Sequence, residues 1–94
     1  MKEPTSVRPP TTHELKCWPE PFQLTKSGAK THEVRVNDRD YQVGDKLLLN
    51  EWDGPGGKGY TGDTVLVLVT AITPGGEFGL PKNVVVMSIR KVEG

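Results

Sequence analysis

Five stretches of this chain alternate or run apolar, a sixth has helical spacing, and glycines and prolines separate them. Thr12 to Cys17 places Leu15 and Cys17 on one face and Glu14 and Lys16 on the other. This predicts a strand that stops near Trp18, because Pro19 and Pro21 cannot sit in a central strand. Pro21 to Ser27 reads as a short helix: proline is accepted in a first turn, Phe22 and Lys26 are helix neighbours, and Gly28 can take the left-handed stop. Thr31 to Val36 reads as the second strand, with Glu33, Arg35 and Asn37 on one face and Val34 and Val36 on the other. The valine face is expected to pack, with His32 beside it as a packing histidine, and the polar face to bind a ligand or stay wet.

Asn37-Asp38-Arg39-Asp40 is a polar turn. Lys46 to Trp52 follows as a strand in which Leu47, Leu48 and Leu49 in succession imply burial on both faces. Between Asp53 and Tyr60 lie four glycines and a proline, expected to form a mobile loop because so little side chain orders it. Thr64 to Ile72 is the strongest apolar run and Val84 to Ile89 the last strand. With no α/β alternation after residue 30, these elements predict a mainly β fold with one or two short helices, a small five- to six-stranded β-barrel in which closure removes exposed edges.

Length and composition narrow the classes. At 94 residues the chain holds one domain, expected at residues 12–94, preceded by a flexible lead-in at residues 1–11. One cysteine excludes an internal disulfide, and the start carries no apolar core of a signal peptide or run long enough to span a bilayer, so the expected compartment is the cytoplasm, without membrane contact and as a monomer. Twelve basic residues balance twelve acidic ones, so binding to nucleic acid must come from a local patch.

Several candidate chemistries fail on spacing. A phosphate-binding loop would need glycine at position 52 and serine or threonine at 59, where Trp52 and Gly59 stand. His13-Glu14 begins like a zinc-protease helix, but position 17 is cysteine. No metal or other cofactor is expected. Cys17 alternates with Leu15 and reads as a small buried hydrophobe before it reads as a nucleophile. Trp18, Tyr41, Trp52 and Tyr60 fall near strand ends, where rings can stack on bases or lid a core, and Trp18, beside Lys16 and a proline corner, is the foremost ligand-facing candidate. Lys30, Glu33 and Arg35 form the main polar constellation. Arg35 can pair with Glu33, stack on a base or grip phosphate, and Glu33 can accept from a base amino group. The same three residues could equally form a surface ion-pair ladder.

The spacing Gly28-x-Lys30-x-x-Glu33-x-Arg35 after a short helix resembles the signature of ASCH domains, compact β-barrels related to the PUA fold of RNA-modifying proteins. The flanks Leu15-Lys16-Cys17-Trp18-Pro19, Tyr41-Gln42-Val43-Gly44-Asp45 and Glu77-Phe78-Gly79-Leu80-Pro81 resemble the phage and bacterial ASCH-like group of unknown function, and the likeness runs from about Thr12 to Glu93. The resemblance implies a cleft for RNA or a nucleotide, lined by the motif strand and the first helix and faced by Lys30, Glu33 and Arg35. Some small relatives hydrolyse acetylated cytidine with a lysine, a threonine and a glutamate, and others cleave RNA. Lys30 matches the lysine, but Glu33 stands where the threonine would be, and Glu77 is the candidate glutamate partner.

The leading expectation is therefore an RNA- or nucleotide-binding module, with Lys30 and Arg35 on phosphate, Glu33 on a polar base edge, and Lys16 and Trp18 beside them. The alternatives are a small hydrolase of a modified nucleoside or a ribonuclease, with Lys30, Glu33 and Glu77 as its catalytic groups, and a protein-interaction module presenting the Gly54 to Gly59 loop and Trp52.

Overall fold

The computed structural model describes residues 8–92 and contains five strands and one helix: β1 (Thr12–Cys17), α1 (Pro19–Ser27), β2 (His32–Val36), β3 (Lys46–Trp52), β4 (Tyr60–Thr73) and β5 (Val84–Lys91). The strands form one sheet in the order β1-β3-β4-β5-β2, curled into a half-barrel. The β1–β3 pair is parallel, because α1 and β2 return the chain to the same end before β3 begins, and the other pairs are antiparallel. The fold is mainly β, with the open side of the barrel between edge strands β1 and β2.

Helix α1 begins at Pro19 rather than Pro21. Neither proline needs an N–H in a first turn, and the first helical bond runs from the Phe22 N–H to the Trp18 carbonyl at 2.9 Å. The helix ends at Gly28, whose φ of 88° is the left-handed conformation, and the Lys30 N–H then bonds the Leu24 carbonyl at 3.0 Å and aims the chain into β2. Phe22 and Thr25, three residues apart on one face, are buried against the barrel.

The core is the inward row of each strand: Leu15 and Cys17, Leu47 and Leu49, Val67 and Val69, and Val85, Met87 and Ile89. Leu48 lies on the outer face and is half-buried, so the leucine triplet is covered unequally on its two sides. Register shifts between Asn50 and Trp52 and between Val69 and Ala71 let the long strand β4 bend and pair with β3 along its first part and β5 along its second. The glycine-rich segment before β4 closes as a bonded turn, with the Asp53 N–H on the Gly59 carbonyl at 2.8 Å and the Gly57 N–H on the Gly54 carbonyl at 3.2 Å.

Strand β2 inverts the expected sidedness. Glu33 is buried, Val34 and Val36 are each 53% exposed, and His32 is exposed rather than packed. The alternation is as expected, but its inward face is set by the partner strand: Glu33 lies opposite Met87 and Arg35 opposite Val85, and cross-strand partners share a face. Burying Met87, Val85 and Ile89 of β5 therefore carries Glu33 and Arg35 inward with them.

Residues 1–7 of the expected lead-in lie outside the described residues. Residues 8–11 are held to the barrel by the fully buried Asp45. Arg8 donates to both of its carboxylate oxygens at 2.9 and 2.8 Å, and the Thr11 and Gln42 N–H groups and His13 Nε2 complete its shell at 2.9–3.0 Å. Burial opposes ionisation of Asp45, but the bonds from Arg8, His13, Thr11 and Gln42 outweigh it and hold the carboxyl well below the usual carboxylate range. No helix among the described residues is long and apolar enough to cross a membrane.

A carboxyl whose folded pKa is depressed stabilises the fold at pH above its unfolded value near 4, and that contribution disappears as pH falls toward the folded value. Urea unfolding of Asp45→Asn should lose part of the acid-side decline in stability that the unsubstituted protein shows below about pH 4. Asp45→Ala, which strands His13 and Arg8, should cost roughly 3 kcal/mol at pH 7. Equal stability of Asp45→Ala and the unsubstituted protein would remove Asp45 as the anchor of residues 8–11.

Candidate nucleic-acid cleft

The open side of the half-barrel is bridged by side chains instead of a ladder. In parallel pairing, alternate residues of β1 turn their carbonyls away from β3. Arg35 Nη2 donates to the Lys16 carbonyl at 2.9 Å and Arg39 Nη1 to the Glu14 carbonyl at 3.1 Å, tying β2 and the turn after it to β1. Arg35 is fixed in turn by Glu33, whose Oε2 accepts from Arg35 Nε at 2.9 Å while Oε1 accepts from Lys30 Nζ at 3.0 Å. Lys30 Nζ also donates to the His32 carbonyl. Both oxygens of a buried carboxylate thus have a cationic partner, as burial of that charge requires.

Beside this triad lies a cleft of about 550 Å³ between the edges of β1 and β2. Lys16, Trp18, Lys30, Glu33 and Arg35 all line it, joined by Trp52 and the buried thiol of Cys17. The structure therefore brings together five of the six residues singled out from the sequence. The sixth, Glu77, is exposed in the β4–β5 turn, beyond the end of β2 where Val36 pairs with Val84, whereas Lys30 precedes the other end, where His32 pairs with Ser88. Glu77 does not meet the lysine.

The aromatic wall is built from three elements. Trp18, at the β1–α1 corner, packs on Trp52 of β3 with centroids 5.1 Å apart and rings tilted by 58°, and Lys16 Nζ sits 4.3 Å from the centroid of the Trp52 ring. The Trp18 ring also rests on Gly54, where a Cβ would come within 2.8 Å of Cζ3, so a glycine is needed there for close approach as well as for its φ of 82°. Trp18 remains 57% exposed, which leaves ring surface open to the cleft. Tyr41, by contrast, is buried, edge-on to His13.

Two groups restrict the chemistry. Cys17 is buried, and burial, with the Glu33 charge adding to it, pushes its thiol up, opposite to what a nucleophilic thiolate needs. Lys30 Nζ already donates to a carboxylate and a carbonyl, which fixes its position beside Glu33. Among the described residues no group of three or more His, Cys, Asp or Glu side chains is placed to hold a metal ion. Two buried acids escaped the sequence reading, Asp45 and Glu51; the second accepts from Gln23 Nε2 at 3.0 Å and Thr61 Oγ1 at 2.8 Å. Its position was marked, since Leu47, Leu49 and Glu51 share the inward parity of β3.

An uncharacterized 12.9 kDa protein of Escherichia phage P2, described by its place in the GpA 3' region, is 45% identical to this chain over 40 residues. That match takes in 43% of this chain and 37% of the phage protein, so the chain spans well under two thirds of that relative. A family model described as Domain of unknown function (DUF3850) matches residues 12–89, from the first residue of β1 almost to the end of β5, and the chain belongs to that family.

Proposed function

We propose that the cleft between β1 and β2 binds single-stranded RNA or a nucleotide, in an ASCH-type barrel. The observation that carries this reading is the convergence of Lys16, Lys30 and Arg35 around one carboxylate, beside the half-exposed ring of Trp18. Three cations against one anion give this cleft a local positive charge in a chain whose formal net charge is zero. A phosphate is held by Lys16 and Arg35, a base stacks on Trp18, and Lys30 and Glu33 keep Arg35 oriented. The Gly28-x-Lys30-x-x-Glu33-x-Arg35 resemblance supports the same reading. Binding leads catalysis because Glu33 is ion-paired to a cation through each oxygen, Lys30 is held by two donated bonds, and Cys17 is buried with a raised pKa.

Tryptophan fluorescence titration with a short mixed-sequence RNA at low salt tests this. Trp18→Ala should weaken binding on the order of tenfold through the lost stack. Lys16→Ala should weaken it and make the salt dependence shallower, from a slope that is already small, roughly −2, because few phosphates are contacted. Unchanged affinity in Trp18→Ala, Lys16→Ala and Lys30→Ala would sink the reading. Cys17 should react with a disulfide reagent at pH 8 far more slowly than free cysteine, and at full rate once unfolded. Fast modification of the folded protein would return a thiol nucleophile to consideration.

A further inference from the structure

The groove continues past Arg35. On the far side of that side chain lies a second compartment of about 720 Å³, and Lys16, Arg35 and Val36 line both compartments and form the divide between them. The two differ in charge. In the first, Lys16, Lys30 and Arg35 stand with Glu33 alone; in the second, Glu14, Asp38, Glu51 and Asp63 stand among the lining with three cations, of which only Arg39 lies beyond the divide, while Lys26 pairs with Asp63.

This asymmetry separates what each part can hold. A phosphate is favoured at the divide, where Lys16 and Arg35 stand, and disfavoured deeper in the second compartment, where carboxylates outnumber cations. What the second compartment offers is acceptor oxygens, including those of Asn50 and Thr64, and the ring of Tyr60, which is 57% exposed. Glu51 accepts one bond on each oxygen and Asp63 accepts from Lys26 at 2.6 Å, so each carboxylate keeps lone pairs for a further donor. A flat, uncharged group with amino donors on its edge suits such a site, and a nucleobase is that group.

We propose that the second compartment is a base subsite, so that the ligand is a dinucleotide step of a single strand. One base lies against Trp18, the linking phosphate against Lys16 and Arg35, and the neighbouring base against Tyr60 with its amino edge toward the carboxylates. This rests on the nucleic-acid reading of the first compartment. It adds a minimum ligand length and a preference: cytosine and adenine carry an exocyclic amino donor, and uracil does not.

Calorimetric titration with cytidine 5′-monophosphate, the dinucleotide CpC and the dinucleotide UpU at low salt tests it. Each ligand has one phosphate, so a gain on going to the dinucleotide reports the second base and not added phosphates. CpC should bind about tenfold tighter than the mononucleotide, and UpU several-fold more weakly than CpC. Tyr60→Ala should bring CpC down to the mononucleotide affinity while Tyr60→Phe, which keeps the ring, retains the gain. If the mononucleotide binds and CpC binds no tighter, or Tyr60→Ala leaves the gain intact, the second subsite is overturned and the first compartment's reading stands. If neither the mononucleotide nor CpC nor a longer RNA binds, both fall together.

Discussion

A carboxylate turned toward the interior of a barrel has to be neutralised where it stands, and in this protein the neutralising groups also hold the fold together and line its cleft. Glu33 fixes Lys30 on one oxygen and Arg35 on the other. Held this way, Arg35 reaches across to the Lys16 carbonyl and bridges two edge strands that share no ladder. A half-barrel with unpaired edges exposes backbone donors and acceptors to wrong partners, and guanidinium groups on those carbonyls cover part of that liability. The bridge leaves room on either side of it, and that room is the groove. The same side chain thus ties the sheet edges, supplies positive charge and divides the groove in two.

Three buried acids are handled differently. Asp45 sits where bonds from Arg8, His13 and two backbone N–H groups close around it, and these bonds serve the anchoring of residues 8–11. Glu33 is held by two side chains that themselves line a cleft, so its surroundings are partly open to a ligand. Glu51 is a third case, bonded by a helix side chain and a β4 hydroxyl at the wall of the larger compartment. The interior of this small domain is therefore less apolar than its valine and leucine content suggests.

The element order and most strand positions were legible in the sequence, because alternation in β1 and the long apolar runs of β3, β4 and β5 leave few other readings. The sidedness of β2 was not. Its sequence alternates charged residues with valines, and parity alone cannot say which set turns inward. That was decided by the register Glu33 to Met87, a contact between residues 54 positions apart in the chain. The candidate site was legible in part: the motif spacing gathered Lys30, Glu33 and Arg35, and the proline corner pointed to Trp18. Glu77 was placed with them only by likeness, and the turn that carries it lies at the other end of β2. Glu51 shares the parity of Leu47 and Leu49, but a glutamate on an apolar face draws attention only once Gln23 and Thr61 are known to reach it.

Bridge and cleft share one origin only if the Glu33 and Arg35 pair acts as one unit. A double-mutant cycle in urea unfolding, with Glu33→Gln, Arg35→Gln and the two combined, measures that directly. Residues in one buried network should show a coupling of about 1–3 kcal/mol, the double variant being less damaged than the sum of the two single ones. Additive losses, within about 0.5 kcal/mol, would mean that the carboxylate does not hold the arginine in place, and the shared origin of the bridge and the cleft would be contradicted.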